Sequence, residues 1–98
     1  MKIVHQPERL GFYAYSEDGR RIGEIEYEFD KNDDKRVHAT HTYVDPEFEG
    51  QGIGGKLLKE LVSWAEREGC TVVPVCSFVK AAFGKDPEKY RKVMVMPG

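Results

Sequence analysis

Cysteine is scarce: Cys70 and Cys76 are the only two in 98 residues. Two are too few for a disulfide framework, and their C-x5-C spacing matches no zinc signature. That scarcity points to a reducing compartment, with the cytoplasm as the expected location. Long hydrophobic runs are also missing. No apolar stretch approaches the roughly 20 residues that span a bilayer, and Met1-Lys-Ile-Val-His-Gln-Pro7 lacks the apolar core of an export signal. Nor does one sign of charge dominate. With 15 basic residues against 17 acidic ones, no strong field favours nucleic acid or an acidic membrane. No Ser-His-Asp constellation, metal-ligand cluster, internal repeat or low-complexity linker is visible. At this length a single domain over 1–98 is expected, with a core able to form without metal or disulfide support.

What is present is strongly patterned. Residues 10 to 44 read as an antiparallel meander of three strands. In Leu10 to Ser16, the residues Leu10, Phe12 and Ala14 share one face and Tyr13 and Tyr15 the other. After the turn Glu17-Asp18-Gly19-Arg20, the strand Arg21 to Phe29 sets Gly23, Ile25, Tyr27 and Phe29 against Glu24, Glu26 and Glu28. The third strand, Val37 to Val44, carries His38 and His41, whose three-residue spacing sends them to opposite faces. From Ile53 the apolar period becomes helical, through Leu57, Leu58, Leu61, Val62, Trp64 and Ala65, and it stops at Gly69. Thr71 to Cys76 then forms a short apolar run of the kind buried on both faces of a sheet. A β-α-β crossover would place this run parallel to Val37 to Val44. Pro74 has no amide hydrogen, so this strand is expected to part from a neighbour there. Ser77 can cap a short helix reaching Phe83, and Asp86-Pro87 can open another running to about Val93.

The segment Gly50-Gln-Gly-Ile-Gly-Gly-Lys56 lies between a strand and a helix start, where unpaired amides and the helix dipole favour anions. Gly50, Gly52 and Gly55 satisfy the dinucleotide spacing G-x-G-x-x-G. Yet the next strand ends in Cys76-Ser77 rather than an acid, and the chain lacks further parallel strands. A Walker-type ATP loop is excluded by Leu57, which stands where a magnesium-binding hydroxyl should follow the lysine.

A third pattern fits both letters and context. Glu49-Gly-Gln-Gly-Ile-Gly54 resembles the pyrophosphate loop Gln/Arg-x-x-Gly-x-Gly/Ala of the GNAT acetyltransferase superfamily. Glu49 departs from the motif, and a carboxylate near a pyrophosphate opposes binding unless it points away. His41-Thr-Tyr-Val-Asp-Pro-Glu47 and Val73-Pro-Val-Cys-Ser-Phe-Val79 narrow the resemblance to minimal single-domain acetyltransferases, over about Phe12 to Tyr90. The resemblance implies an α/β (α+β) fold with a mixed, mainly antiparallel sheet, a β-α-β unit and short C-terminal helices in place of a final strand pair. It also implies acetyl-coenzyme A as cofactor and, as acceptor, an amine of unknown identity, either a small molecule or a lysine. The pyrophosphate would rest on the amides of Gly50, Gln51, Gly52, Ile53, Gly54, Gly55 and Lys56, with the pantetheine arm along Tyr43 and Val44.

His41 is then the candidate base, since an imidazole has an ordinary pKa near 6.5. Cys76, at the close of the buried strand, matches a family cysteine and sits where a helix dipole favours a thiolate. Each also has a plainer reading, His41 as a hydrogen-bonded or exposed strand residue and Cys76 as packing. Two further functions stay open: a non-catalytic acyl-coenzyme A binding or sensing module, and an acyl carrier working through Cys76. The acidic stripe Glu24, Glu26, Glu28 could attract a cationic amine, although such stripes are commonly solvated surface.

Overall fold

The sheet begins before the meander expected from residue 10. In the computed structural model, which describes residues 1–95, β1 (Lys2–Gln6) pairs antiparallel with β2 (Gly11–Tyr15). Lys2-Ile-Val-His-Gln6 sets two apolar residues side by side between polar ones, so no alternation announces a strand there. Between β1 and β2 lies a single 3-10 turn, Pro7–Arg9, closed by Leu10 at φ +57°. Leu10 therefore leaves the face it was expected to share with Phe12 and Ala14; the turn needs it left-handed, and its side chain goes to solvent. β3 (Arg21–Phe29) pairs with β2 and with β4 (Arg36–Val44), and β5 (Thr71–Pro74) joins β4 in parallel, giving the order β1-β2-β3-β4-β5.

One face of this sheet makes the core. Phe12, Ala14, Ile25, Tyr27, Val37 and Ala39 lie under α1 (Ile53–Glu68), which contributes Ile53, Leu57, Leu58, Leu61 and Ala65, all 4% exposed or less. Gly69 at φ +68° ends α1, its amide returning to the carbonyls of Ala65 and Glu66. Gly23 lets the start of α1 approach the strands, for a Cβ there would lie 3.2 Å from Ile53 Cγ2 and 3.3 Å from Leu57 Cδ1. His5 extends the core to β1: its ring stacks on Phe12 at 4.1 Å, meets Trp64 edge-on at 5.1 Å and hydrogen-bonds the Tyr27 hydroxyl at 2.7 Å. Burial lowers the His5 pKa and pushes that of Tyr27 up to about 12.

Several expectations for the C-terminal part need correction. α2 spans Ser77–Lys85, so Cys76 rather than Ser77 holds the N-cap position, with no side-chain cap, and Gly84 lies inside the helix. Asp86-Pro87 does open α3 (Pro87–Tyr90), where Asp86 accepts from the Lys89 amide, but the helix makes one turn and stops well short of Val93. The chain then returns to the sheet: Val72 donates to the Val93 carbonyl and accepts from the Val95 amide, in a parallel bridge between Val72 and Met94. Backbone pairing on the outer edge of β5 thus takes over where helix was expected. Residues 96–98, the end of the expected domain, lie outside the described residues.

Two irregularities in β4 shape the surface around it. The register against β3 passes from Glu26↔His41 to Tyr27↔Ala39, which leaves Thr40 as an extra residue, a bulge. Against β5 the ladder covers only Arg36 to Ala39, opposite Thr71 to Pro74; the amides of Val75 and Cys76 then both donate to the Ala39 carbonyl. From Thr40 to Val44, β4 has no β5 partner, and the sheet opens beside it.

Candidate active site

The gap beside β4 leads to the glycine loop. Asp45 starts a 3-10 turn, Pro46–Phe48, by accepting from the Glu47 amide, and the chain then passes through Gly50 at φ +83° and Gly52 at φ +75° into α1. Added Cβ atoms at these two glycines would meet nothing within 4 Å, so conformation rather than space requires glycine there. Among the described residues, the amides from Gly50 through Gly55 donate to no protein acceptor. Lys56 differs from the expectation: its amide is already committed to the Gly52 carbonyl at 3.0 Å. Gly54 belongs to the packing, since a Cβ there would lie 3.0 Å from Phe78 Cζ. A groove of about 230 Å³ runs along the loop, with Val44, Phe48, Ile53 and Phe78 as its apolar wall. Glu49 is on its rim, exposed to solvent.

This arrangement fits coenzyme A. A run of unpaired amides at a helix start suits a diphosphate. From Val44 back to Thr40 the open strand edge extends about 13 Å, at roughly 3.3 Å per residue, offering strand-like partners to the amides of a pantetheine arm. Cys76 stands across the gap, with Sγ 3.4 Å from Thr42 Oγ1. Exposed Val75 and Phe78, neither of them anticipated from the sequence, add apolar surface on its side.

The bulge at Thr40 changes the geometry of the histidines. Because one residue is inserted, His38 pairs with Glu28 and His41 with Glu26, so both rings lie on the glutamate face of the sheet rather than on opposite faces. His41 Nε2 is 2.9 Å from Glu24 Oε2, and Arg21 approaches the same carboxylate at 3.9 Å. His38 meets Asp30 at 2.8 Å, and that hydrogen bond, with one from the Asn32 amide, holds the Asp30 carboxyl below its usual range. Tyr13 donates its hydroxyl to Glu26 at 2.8 Å and is 2% exposed beneath the Arg21 guanidinium, 5.0 Å from its ring centre. Gly11 makes room for it, since a Cβ there would lie 2.6 Å from the Tyr13 hydroxyl. Burial, reinforced by the hydrogen bond to Glu26, pushes the Tyr13 pKa up to about 12.

Ligand atoms of Glu24, Glu26 and His41 all lie within 4.8 Å of one another, a cluster that could hold a cation. Sequence spacing gave no hint of it, because β3–β4 pairing assembles it from residues up to 17 apart. The two expected catalytic residues are not brought together. Thr42 pairs with Ile25 on the core face, so Cys76 touches that side of β4 while His41 and the half-exposed Tyr43 lie on the other.

A family model of the GCN5-related N-acetyltransferases matches residues 11–93. The chain belongs to that family. A GCN5-like protein of Staphylococcus aureus, solved in solution, is 30% identical, with a TM-score of 0.76 over 99% of this chain and 90% of that one. A GNAT-family N-acetyltransferase of Escherichia coli in complex with coenzyme A is 24% identical, with a TM-score of 0.64. This acetyltransferase overlays it through 76% of its own residues and 44% of the larger chain. For nourseothricin acetyltransferase the identity is 22% and the TM-score 0.59, with 76% of this chain and 46% of that one covered. These two larger proteins support the fold, of which this chain spans about half their length. No curated protein sequence matches the acetyltransferase. Family membership makes acetyl-coenzyme A the acetyl donor and an amine the acceptor. Among the described residues no helix is long and apolar enough to cross a membrane.

Proposed function

We propose that residues 1–98 act as one domain that transfers acetyl from acetyl-coenzyme A to an alkyl amine at the bulge of β4, in a reducing compartment such as the cytoplasm. The observation that carries this reading is the continuity between the unpaired amides of Gly50–Gly55 and the open edge of β4 from Val44 to Thr40, which carries His41. Acetyl-coenzyme A supplies an activated carbonyl, and the residues around it do the rest. The Gly50–Gly55 amides hold the diphosphate, Val44 and Phe78 cover the arm, and the Thr40–Tyr43 edge aligns it. Glu24 accepts from His41 Nε2–H, which leaves Nδ1 with its lone pair to take the proton from an acceptor ammonium. The amine nitrogen then forms the new bond to the acetyl carbon, the carbon–sulfur bond breaks, and the proton that the nitrogen sheds on becoming an amide passes to the departing sulfur, which leaves as coenzyme A thiol. Cys76, near Thr42 on the opposite side of the strand, is placed beside the arm rather than in reach of His41. The Glu24, Glu26 and Glu28 face supplies the field that draws the cation in.

The test is acetyl-coenzyme A turnover with a panel of alkyl amines, in wild type, His41→Gln and Cys76→Ala. Direct transfer gives an amine-dependent rate that falls by about 10²-fold or more in His41→Gln, the usual contribution of a general base. Tight binding with no mutant-sensitive rate identifies an acyl-coenzyme A sensing module instead. A lasting one-acetyl mass increase, lost in Cys76→Ala, identifies an acyl carrier.

A further inference from the structure

The glycine loop is set by its two ends. Downstream it runs into α1, and upstream it hangs from the 3-10 turn Pro46–Phe48. Gly50 and Gly52 give the loop itself little stiffness, so the position of its amides depends on how firmly that turn is held. The start of the turn is tied to β3, where the Asp45 amide donates to the Ile22 carbonyl at 2.8 Å. Its other side is tied by a residue from the turn between β2 and β3. Arg20 donates to Glu47 Oε2 at 3.3 Å and lays its guanidinium over the Phe48 ring, 5.4 Å from the ring centre. The Arg20 backbone is itself fixed. Its carbonyl accepts from the Ser16 amide at 2.9 Å, and its amide donates to the Asp18 carboxylate at 3.3 Å. The Ser16 hydroxyl donates to the same carboxylate, and these two bonds hold Asp18 below the usual carboxylate range.

We propose that Arg20 is a positioning residue for acetyl-coenzyme A: it fixes Phe48 as a wall of the groove and cancels the charge of Glu47 beside the loop. The proposal rests on the coenzyme A reading of the glycine loop. Arg20 does not line the groove, so it acts through the two residues it touches. An exposed ion pair by itself contributes little, and these side chains are 49% and 67% exposed. Here one guanidinium engages two successive residues with separate consequences. Phe48 packs against the core and forms part of the apolar wall, so the cation on its outer face keeps that wall in place. Glu47 lies two residues before Glu49, and without Arg20 two uncompensated carboxylates would flank a run of amides that is to receive a diphosphate. Arg20 removes one of them and leaves the amides of Gly50–Gly55 free for the ligand.

The experiment is calorimetric titration of the full chain with coenzyme A, in wild type, Arg20→Gln, Arg20→Lys and the double variant Arg20→Gln, Glu47→Gln, with acetyl transfer to an alkyl amine measured alongside. Arg20→Gln is expected to raise the dissociation constant of coenzyme A and the KM for acetyl-coenzyme A by about fivefold, the scale of one exposed cation–ring contact plus one exposed ion pair. Its kcat and its KM for the amine should stay within about twofold of wild type, because Arg20 is remote from the reacting atoms. Arg20→Lys keeps a charge over the ring and should recover most of the affinity. The double variant should bind more tightly than Arg20→Gln, since the carboxylate has gone with its partner. Unchanged affinity in Arg20→Gln overturns the proposal, as does a loss that Arg20→Lys does not repair or a kcat that falls in step with the affinity. A double variant no tighter than Arg20→Gln overturns the charge cancellation. If wild type does not bind coenzyme A, the reading of the glycine loop is itself refuted, and the Arg20 assignment goes with it.

Discussion

Replacing Tyr13 with Phe removes one hydroxyl and keeps the ring over Gly11. At neutral pH the variant loses the 2.8 Å hydrogen bond to Glu26. A hydrogen bond to a charged group contributes about 1.5–3 kcal/mol, and Glu26 is partly exposed, so water recovers part of it. A destabilisation of about 1–2 kcal/mol is expected. The sharper expectation concerns alkaline pH. Tyr13 titrates at about 12 in the folded protein, against an ordinary value of 10.0. The folded state therefore prefers the neutral phenol, and its stabilising effect is complete below pH 10 and lost as pH rises toward 12. For a two-unit gap the loss at pH 11 is about 1.4 kcal/mol, and at pH 9 it is about 0.1 kcal/mol. Urea denaturation of wild type and Tyr13→Phe at pH 8, 9, 10 and 11 isolates this, because Tyr27 and the lysines titrate alike in both. The stability difference should shrink by about 1.3 kcal/mol between pH 9 and 11. A difference that stays constant with pH would show that Tyr13 ionises freely, and the buried phenol–carboxylate pair would be refuted.

Acid should weaken the fold through His5, whose neutral ring is favoured by burial: stability falls as pH drops below 6.5, where the unfolded chain is protonated first. A His5→Gln variant should show a flatter urea-midpoint profile between pH 7 and 5. Leu57→Ala, at a fully buried contact between α1 and the sheet, should cost about 3 kcal/mol by chemical denaturation. Gly50→Ala forces a side chain into φ +83° and should cost about 1–2 kcal/mol while weakening coenzyme A binding in calorimetry; unchanged affinity would argue against the loop as the diphosphate grip. Iodoacetamide should label Cys76 well before Cys70, which is buried with its pKa raised by that burial, and peptide mass mapping gives the order.

The elements legible in the sequence were those whose periodicity runs long enough to be unambiguous. β3 alternates from Gly23 to Phe29 and α1 repeats through four turns, and both lie where their patterns put them. The glycine loop was legible for a different reason: Gly50 and Gly52 occupy backbone conformations that other residues resist. β1 escapes the sequence because Ile3 and Val4 stand side by side and break the alternation. The Thr40 bulge was invisible because an inserted residue has no composition of its own; only the β3 register reveals it, and with it the shared face of His38 and His41. The contact of Arg20 with Glu47 was likewise out of reach, since 27 residues separate the two and only the fold brings their turns together. The short reach of α3 and the return of Val93–Val95 to β5 reflect backbone pairing that local capping signals do not encode.

The meeting of β5 with β4 over only four residues has a consequence for how this chain can be improved. Pro74 is not what ends it, because amides alternate along a strand: Thr71 and Val75 donate to β4 and Val72 donates outward to Val93, so the donor missing at position 74 belongs to the outer edge. The gap opens because the chain turns from Cys76 into α2 instead of running on beside β4. Screens that reward heat resistance alone should therefore favour changes that extend the pairing past Ala39, and the sturdiest winners would be the ones least able to admit a cofactor.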